Sequence, residues 1–147
     1  MRRKAVIEAG VLTNYLLNTY TARKLNLKST GNASRGLAGT PGIGAGNVYL
    51  EPGTQTAAEI IKSVKSGLYL TELMGHGGNP VTGDYSQGAT GIWIEDGELA
   101  YPVEEITIAG NLKDMFRNIV AIGSDLEWRS SVAAPTLMVE GMTIAGA

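Results

Sequence analysis

The chain has 147 residues, a net charge of −2, no cysteine and one histidine, the size of about one domain. Without cysteine it has no disulfide, no thiolate metal ligand and no thiol nucleophile. Without clustered Lys and Arg it lacks the charge supply for binding phosphates, so nucleic acid is not an expected partner.

The N-terminal Arg2-Arg3-Lys4 reads as a solvated chain end, and Glu8 interrupts any signal-peptide core. No apolar run approaches the roughly 20 residues that span a bilayer. A cytoplasmic protein with no membrane partner is the expectation. At 44% hydrophobic and 18% charged residues, some apolar surface is expected to be covered by another chain or domain.

In chain order, Ala5 to Leu17 predicts a hairpin turning at Ala9-Gly10, where glycine tolerates positive φ. A strand so near residue 1 suggests a chain cut from something longer. Asn18 to Leu25 predicts a short helix, with Arg23, Lys24 and Lys28 at its cation-favouring end. Residues 29–46, rich in Gly, Ser, Thr and Ala, read as a long structureless loop, a flexible lid or an interface segment. A strand is expected at Asn47–Leu50, then a turn at Glu51-Pro52-Gly53.

Thr56 and Glu59 form a capping box for a helix that buries Ile60, Ile61 and Val64, with Gly67 as its left-handed stop. Leu68–Leu73 predicts a strand, followed by the glycine-rich turn Gly75–Pro80 and Val81–Asp84. Thr90–Glu95 and Glu98–Val103 predict a hairpin, because Asp96-Gly97 suits the positive-φ turn that matches strand twist. A further short strand is expected at Ile106–Ile108. Asn111 should cap a helix with Leu112, Met115, Phe116 and Ile119 on one face, ending at Gly123. Strands at Asp125–Trp128, Thr136–Val139 and Met142–Ile144 complete the tail, the last two joined through Glu140-Gly141. The fold class is α+β: mainly antiparallel sheet with two or three short helices, in one domain over 1–147.

A zinc site needs three or four converging Cys, His, Asp or Glu ligands. His76 is the only imidazole, and Glu72, Asp84 and Glu95 do not stand at ligand spacing beside a second histidine. No metal and no cofactor is therefore expected in this chain. Thr40–Gly46 is glycine-rich, yet it lacks the Gly-Lys-Ser/Thr end of a phosphate loop and precedes a strand rather than a helix. No Gly-x-Ser-x-Gly elbow frames a nucleophile. A hydrolase built here would have to use His76 with Thr82 or Asp84. Glu104 and Glu105 are strand neighbours pointing to opposite faces, so they do not form an acid/base pair. The segment Gly75–Asp84 is the candidate functional surface. Its side-chain polar groups are His76, Asn79, Thr82 and Asp84, and its glycines permit close approach of a partner backbone.

The stretch from His76 through Glu98 (HGGNPVTGDYSQGATGIWIEDGE) resembles the TldD/PmbA family, also called modulators of DNA gyrase. Tyr101–Met115, Ile122–Leu126, Pro135–Gly146 and Tyr15–Leu25 carry the same likeness, which spans nearly the whole chain. The resemblance implies the C-terminal β-rich domain of such a protein, with the N-terminal α/β domain absent from this chain. It implies a cytoplasmic zinc metallopeptidase complex in which a TldD subunit works with a PmbA (TldE) partner on unfolded or peptide substrates, including peptide maturation. The zinc ligands of the TldD branch are two histidines of a His-Glu motif upstream and a cysteine near the C-terminus. This chain has neither, and its tail Arg129–Pro135 and its Pro102–Ile106 stretch look more like the PmbA branch. The expected role is a non-catalytic domain, inactive alone, that supports assembly with a TldD-like subunit and binds unfolded peptide, with zinc held by that subunit. The alternatives are a self-contained hydrolase using His76, or a structural oligomerisation module that associates with itself.

Overall fold

The computed structural model describes residues 3–146. In chain order the elements begin with β1 (Ile7–Glu8), β2 (Val11–Leu12), α1 (Thr19–Lys24), β3 (Ala33–Ser34), β4 (Gly42–Ile43) and β5 (Val48–Tyr49). They continue with α2 (Ala57–Ser63), β6 (Ser66–Met74), β7 (Asp84–Glu95), β8 (Glu98–Asn111) and α3 (Leu112–Arg117). Strands β9 (Ile119–Ile122), β10 (Val132–Ala133), β11 (Leu137–Val139) and β12 (Thr143–Ala145) close the chain. The backbone gathers into two compact units, residues 3–49 with 128–133, and residues 50–127 with 134–146.

In the first unit, Ala9 (φ 48°) and Gly10 (φ 78°) turn β1 into β2, which pair as Ile7↔Leu12 and Glu8↔Val11. Both central residues at positive φ give the turn whose twist matches its strands. Asn18 caps α1: its side chain accepts the Thr21 N–H at 2.8 Å while the Thr21 hydroxyl accepts the Asn18 N–H at 3.1 Å. Residues 29–46 are not structureless. They carry the ribbon β3–β4, paired Ala33↔Ile43, and are stapled at the base by two buried asparagines. Asn32 donates to the Gly44 carbonyl at 3.0 Å and accepts from Lys4 Nζ at 2.6 Å. Asn18 Nδ2 donates to the Gly42 carbonyl at 3.2 Å. Each buried polar group thereby finds a partner, which a low-dielectric site requires. β5 pairs with β10 in parallel (Val48↔Val132), whereas the other paired strands are antiparallel.

The second unit is built on a four-stranded antiparallel sheet in the order β12-β8-β7-β6. Asp96 (φ 47°) and Gly97 (φ 83°) form the tight turn between β7 and β8, as the sequence predicts. The strands run further than expected, because Ile106–Ile108 is no separate element but the continuation of β8 past a bulge. Ala89, Ile106 and Ile108 are buried at the centre, with Leu68, Tyr85, Val103 and Met142 packed against them. Thr56 caps α2 through the predicted box: its hydroxyl accepts the Glu59 N–H at 3.2 Å and its own N–H donates to Glu59 Oε2 at 2.7 Å.

Two predicted helix stops are corrected. α2 ends at Ser63 with an extended Val64, and Gly67 lies inside β6. α3 ends at Arg117 with Asn118 as its cap, and the chain re-enters sheet as β9, which pairs with β11, well before Gly123. Ile119 therefore belongs to a strand rather than to the helix face, and Phe116 is exposed. Asp125–Trp128 forms no strand. β11 and β12 are consecutive, yet each pairs elsewhere, with β9 and β8, because Gly141 (φ 75°) redirects the chain between them.

Candidate functional site

β6 ends at Met74, and Gly75 (φ 83°) turns the chain into the loop that returns at Asp84. The loop is closed by its own backbone. Ser86 N–H donates to the Gly77 carbonyl, Asn79 N–H to the Asp84 carbonyl and Gly83 N–H to the Asn79 carbonyl, each at 2.8 Å. Asn79 Oδ1 accepts the Val81 N–H at 2.9 Å and the Thr82 N–H at 3.3 Å, the Asx turn that short polar side chains favour. Thr82 Oγ1 accepts the Asp84 N–H at 3.3 Å.

Three residues outside the predicted set fix this loop in place. Gln87 Nε2 donates to the Gly75 carbonyl at 2.7 Å, and the Tyr85 hydroxyl donates to Gln87 Oε1 at 2.6 Å. Burial pushes the Tyr85 phenol above its ordinary value. Asn111 caps α3 at Lys113 N–H (3.1 Å), and its amide lies 3.4 Å from the Thr82 carbonyl. The Leu112 N–H donates to the Gly83 carbonyl at 2.6 Å, so the loop rests on the start of α3. A side chain at Gly83 would meet Asn111 Oδ1 at 2.9 Å, which is why this position holds glycine. Asn111 is legible in the sequence as a helix cap. Its second contact is not, since nothing local links it to residue 82.

His76, Asn79, Thr82 and Asp84 thus share one loop with exposed side chains. Only part of the set is available to a partner, since the Asn79 oxygen is spent on its own turn. Among the described residues no hydrogen bond joins His76 to Thr82 or Asp84, so the geometry lends a self-contained hydrolase no support. Among the described residues no three of His, Asp or Glu converge as metal ligands. The donor set does not fit zinc: one exposed imidazole on a loop and scattered carboxylates supply neither ligand count nor geometry.

The loop sits at the end of an open edge. β6 pairs with β7 on one side, from Ser66↔Glu95 to Met74↔Gly88, and with no other strand among the described residues. At nine residues it presents about 30 Å of edge. Leu70, Leu73 and Met74 on it are exposed. Edge strands are ordinarily blunted by shortness, proline, charged side chains or bulges. β6 is neither short nor interrupted by lysine or proline, and it carries one charge, Glu72, beside a bulge between Leu70 and Glu72.

Similarity to known proteins agrees with this architecture. The family model described as the PmbA/TldA metallopeptidase C-terminal domain matches residues 1–146. The chain is 47% identical over 144 residues to the metalloprotease PmbA of Escherichia coli O157:H7, covering 98% of this chain and 30% of that protein. A crystal structure from Thermotoga maritima, named for modulation of a DNA gyrase, superposes with a TM-score of 0.85 at 40% identity, covering 95% of this chain and 32% of that one. TldE from Thermococcus kodakarensis superposes with a TM-score of 0.87 at 26% identity, covering 99% and 34%. The chain therefore spans about a third of the length of the relatives it matches. It belongs to the PmbA/TldD metallopeptidase family, as the C-terminal domain, and resembles the PmbA branch more closely than the TldD homologue of Buchnera aphidicola from Acyrthosiphon pisum, to which it is 25% identical over 99% of this chain and 33% of that protein.

Proposed function

We propose that this member of the PmbA/TldD family is a non-catalytic domain of a metallopeptidase complex, one that binds unfolded peptide and supports assembly with a TldD-like subunit. The observation that carries the reading is the edge of β6, unpaired among the described residues, which leads directly into the Gly75–Gly83 loop with its exposed His76, Asn79 and Thr82. An extended peptide can add to such an edge as a further strand, satisfying its backbone groups whatever its side chains. That suits proteolysis or maturation of unfolded segments, where shape matters more than sequence. Hydrolysis, and the zinc that performs it, would reside in the TldD-like subunit of a heterodimer in the cytoplasm. No helix among the described residues is long and apolar enough to cross a membrane.

The test is a titration of the isotope-labelled chain with an unfolded peptide. Amide shifts concentrated in residues 66–83 are expected. Shifts absent from this segment at saturating peptide would refute the reading. Co-elution with a TldD-like subunit in size-exclusion chromatography tests the assembly role separately, and a peak unmoved by the added subunit would remove it.

A further inference from the structure

On the β6 edge, Glu72 is the only carboxylate and the only side chain of the strand that is charged at neutral pH. The strand alternates, with one interruption. Leu70 stands opposite Gly91 and Leu73 opposite Ala89, on the face that carries the buried cluster. Glu72 stands opposite Thr90, and the neighbouring Thr71 hydroxyl lies 3.3 Å from that of Thr90, so the bulge brings Thr71 and Glu72 to the other face. Thr90 offers no charge, and Glu72 has no ion pair or hydrogen bond among the described residues. Its carboxylate is exposed on a strand whose far side pairs with no other strand among the described residues.

A strand added to this edge places one residue directly across from Glu72. Side chains opposite one another on neighbouring strands interact through charge, opposite signs favourably and like signs unfavourably. The residues on either side of that position face the same way as Leu70 and Leu73, both exposed and apolar. We propose that Glu72 makes the β6 edge selective for extended segments carrying a lysine or arginine flanked by apolar residues. The inference rests on strand addition as proposed above and adds to it a preference for cationic, apolar stretches over acidic ones.

The experiment uses the full chain and two short disordered peptides rich in Val and Thr, identical except for Lys or Glu at the centre. Binding is read by fluorescence anisotropy at low salt, and its location by the amide resonances of residues 66–74. The Lys peptide is expected to bind about three- to tenfold more tightly. Glu72→Gln should remove the difference and Glu72→Lys should reverse it. Equal affinities, with the β6 amides shifting in both titrations, would overturn the charge selectivity and leave strand addition standing. Unshifted β6 amides with both peptides would overturn strand addition and this inference together.

Discussion

The side-chain amide of Gln87 donates to the carbonyl of Gly75 at 2.7 Å, so that a residue well inside β7 fastens the last turn of β6 before the exposed loop. Gln87 is itself held by the Tyr85 hydroxyl at 2.6 Å. The loop is therefore presented by a fixed frame rather than tethered only by its ends.

Gln87→Ala removes the donor and leaves both the Gly75 carbonyl and the Tyr85 hydroxyl without their partner. The expected cost is about 1 kcal/mol of stability, typical of a lost neutral hydrogen bond. Hydrogen exchange should accelerate at Gly77 through Asn79 more than at the centre of β7. Uniform exchange changes across the sheet would contradict the local role.

Glu105 adopts φ 53° in the middle of β8, at the irregularity where Val103 and Ile106 face Gly91 and Ala89. A residue with a Cβ is disfavoured there by about 1 kcal/mol or more, whereas glycine is not. Glu105→Gly should therefore leave stability unchanged or raise it by up to about 1 kcal/mol, against the usual cost of glycine in a strand. Urea unfolding midpoints of the two proteins decide the sign.

Asp125 accepts the Thr136 hydroxyl at 2.7 Å and the Thr136 N–H at 3.0 Å, and these bonds hold its carboxyl below the ordinary range. Glu59 is lowered likewise, first by the backbone N–H of Thr56 and then by its hydroxyl. A group whose folded value lies below its unfolded one stabilises above the unfolded value, and that contribution fades as pH falls through the folded one. Stability should hold at neutral pH and start to drop as pH approaches about 4. Asp125→Asn is expected to flatten part of that acid limb in melting curves recorded between neutral and acid pH. An unchanged slope would show that the clasp is not linked to folding.

Asn32, 2% exposed, joins Lys4 to the Gly44 carbonyl and so closes the base of the β3–β4 segment. Asn32→Ala leaves the part-buried Gly44 carbonyl without its side-chain donor and removes one of the two acceptors of the Lys4 ammonium, which keeps the Thr30 carbonyl, at an expected cost of roughly 1–3 kcal/mol. Chemical denaturation should show that loss. A variant as stable as the parent would mean that water replaces the amide there.

What the sequence determined by itself was local. The Thr56 and Asn111 caps and the Ala9-Gly10 and Asp96-Gly97 turns were all legible, because each closes its hydrogen bonds or sets its φ within a few residues. The long family-like stretch from His76 to Glu98 fixed the kinship for the same reason, being contiguous. The tertiary structure decided what depends on residues far apart in the chain. It paired β5 with β10 in parallel, and it drew Gly67 into a strand where a helix stop was expected. It turned residues 29–46 from loose loop to stapled ribbon through Asn32. The candidate loop was visible as residues, while its frame of Gln87, Tyr85 and Asn111 and the open edge beside it were not. Strand pairing is settled by which surfaces meet, and local propensity is too weak to choose the partner.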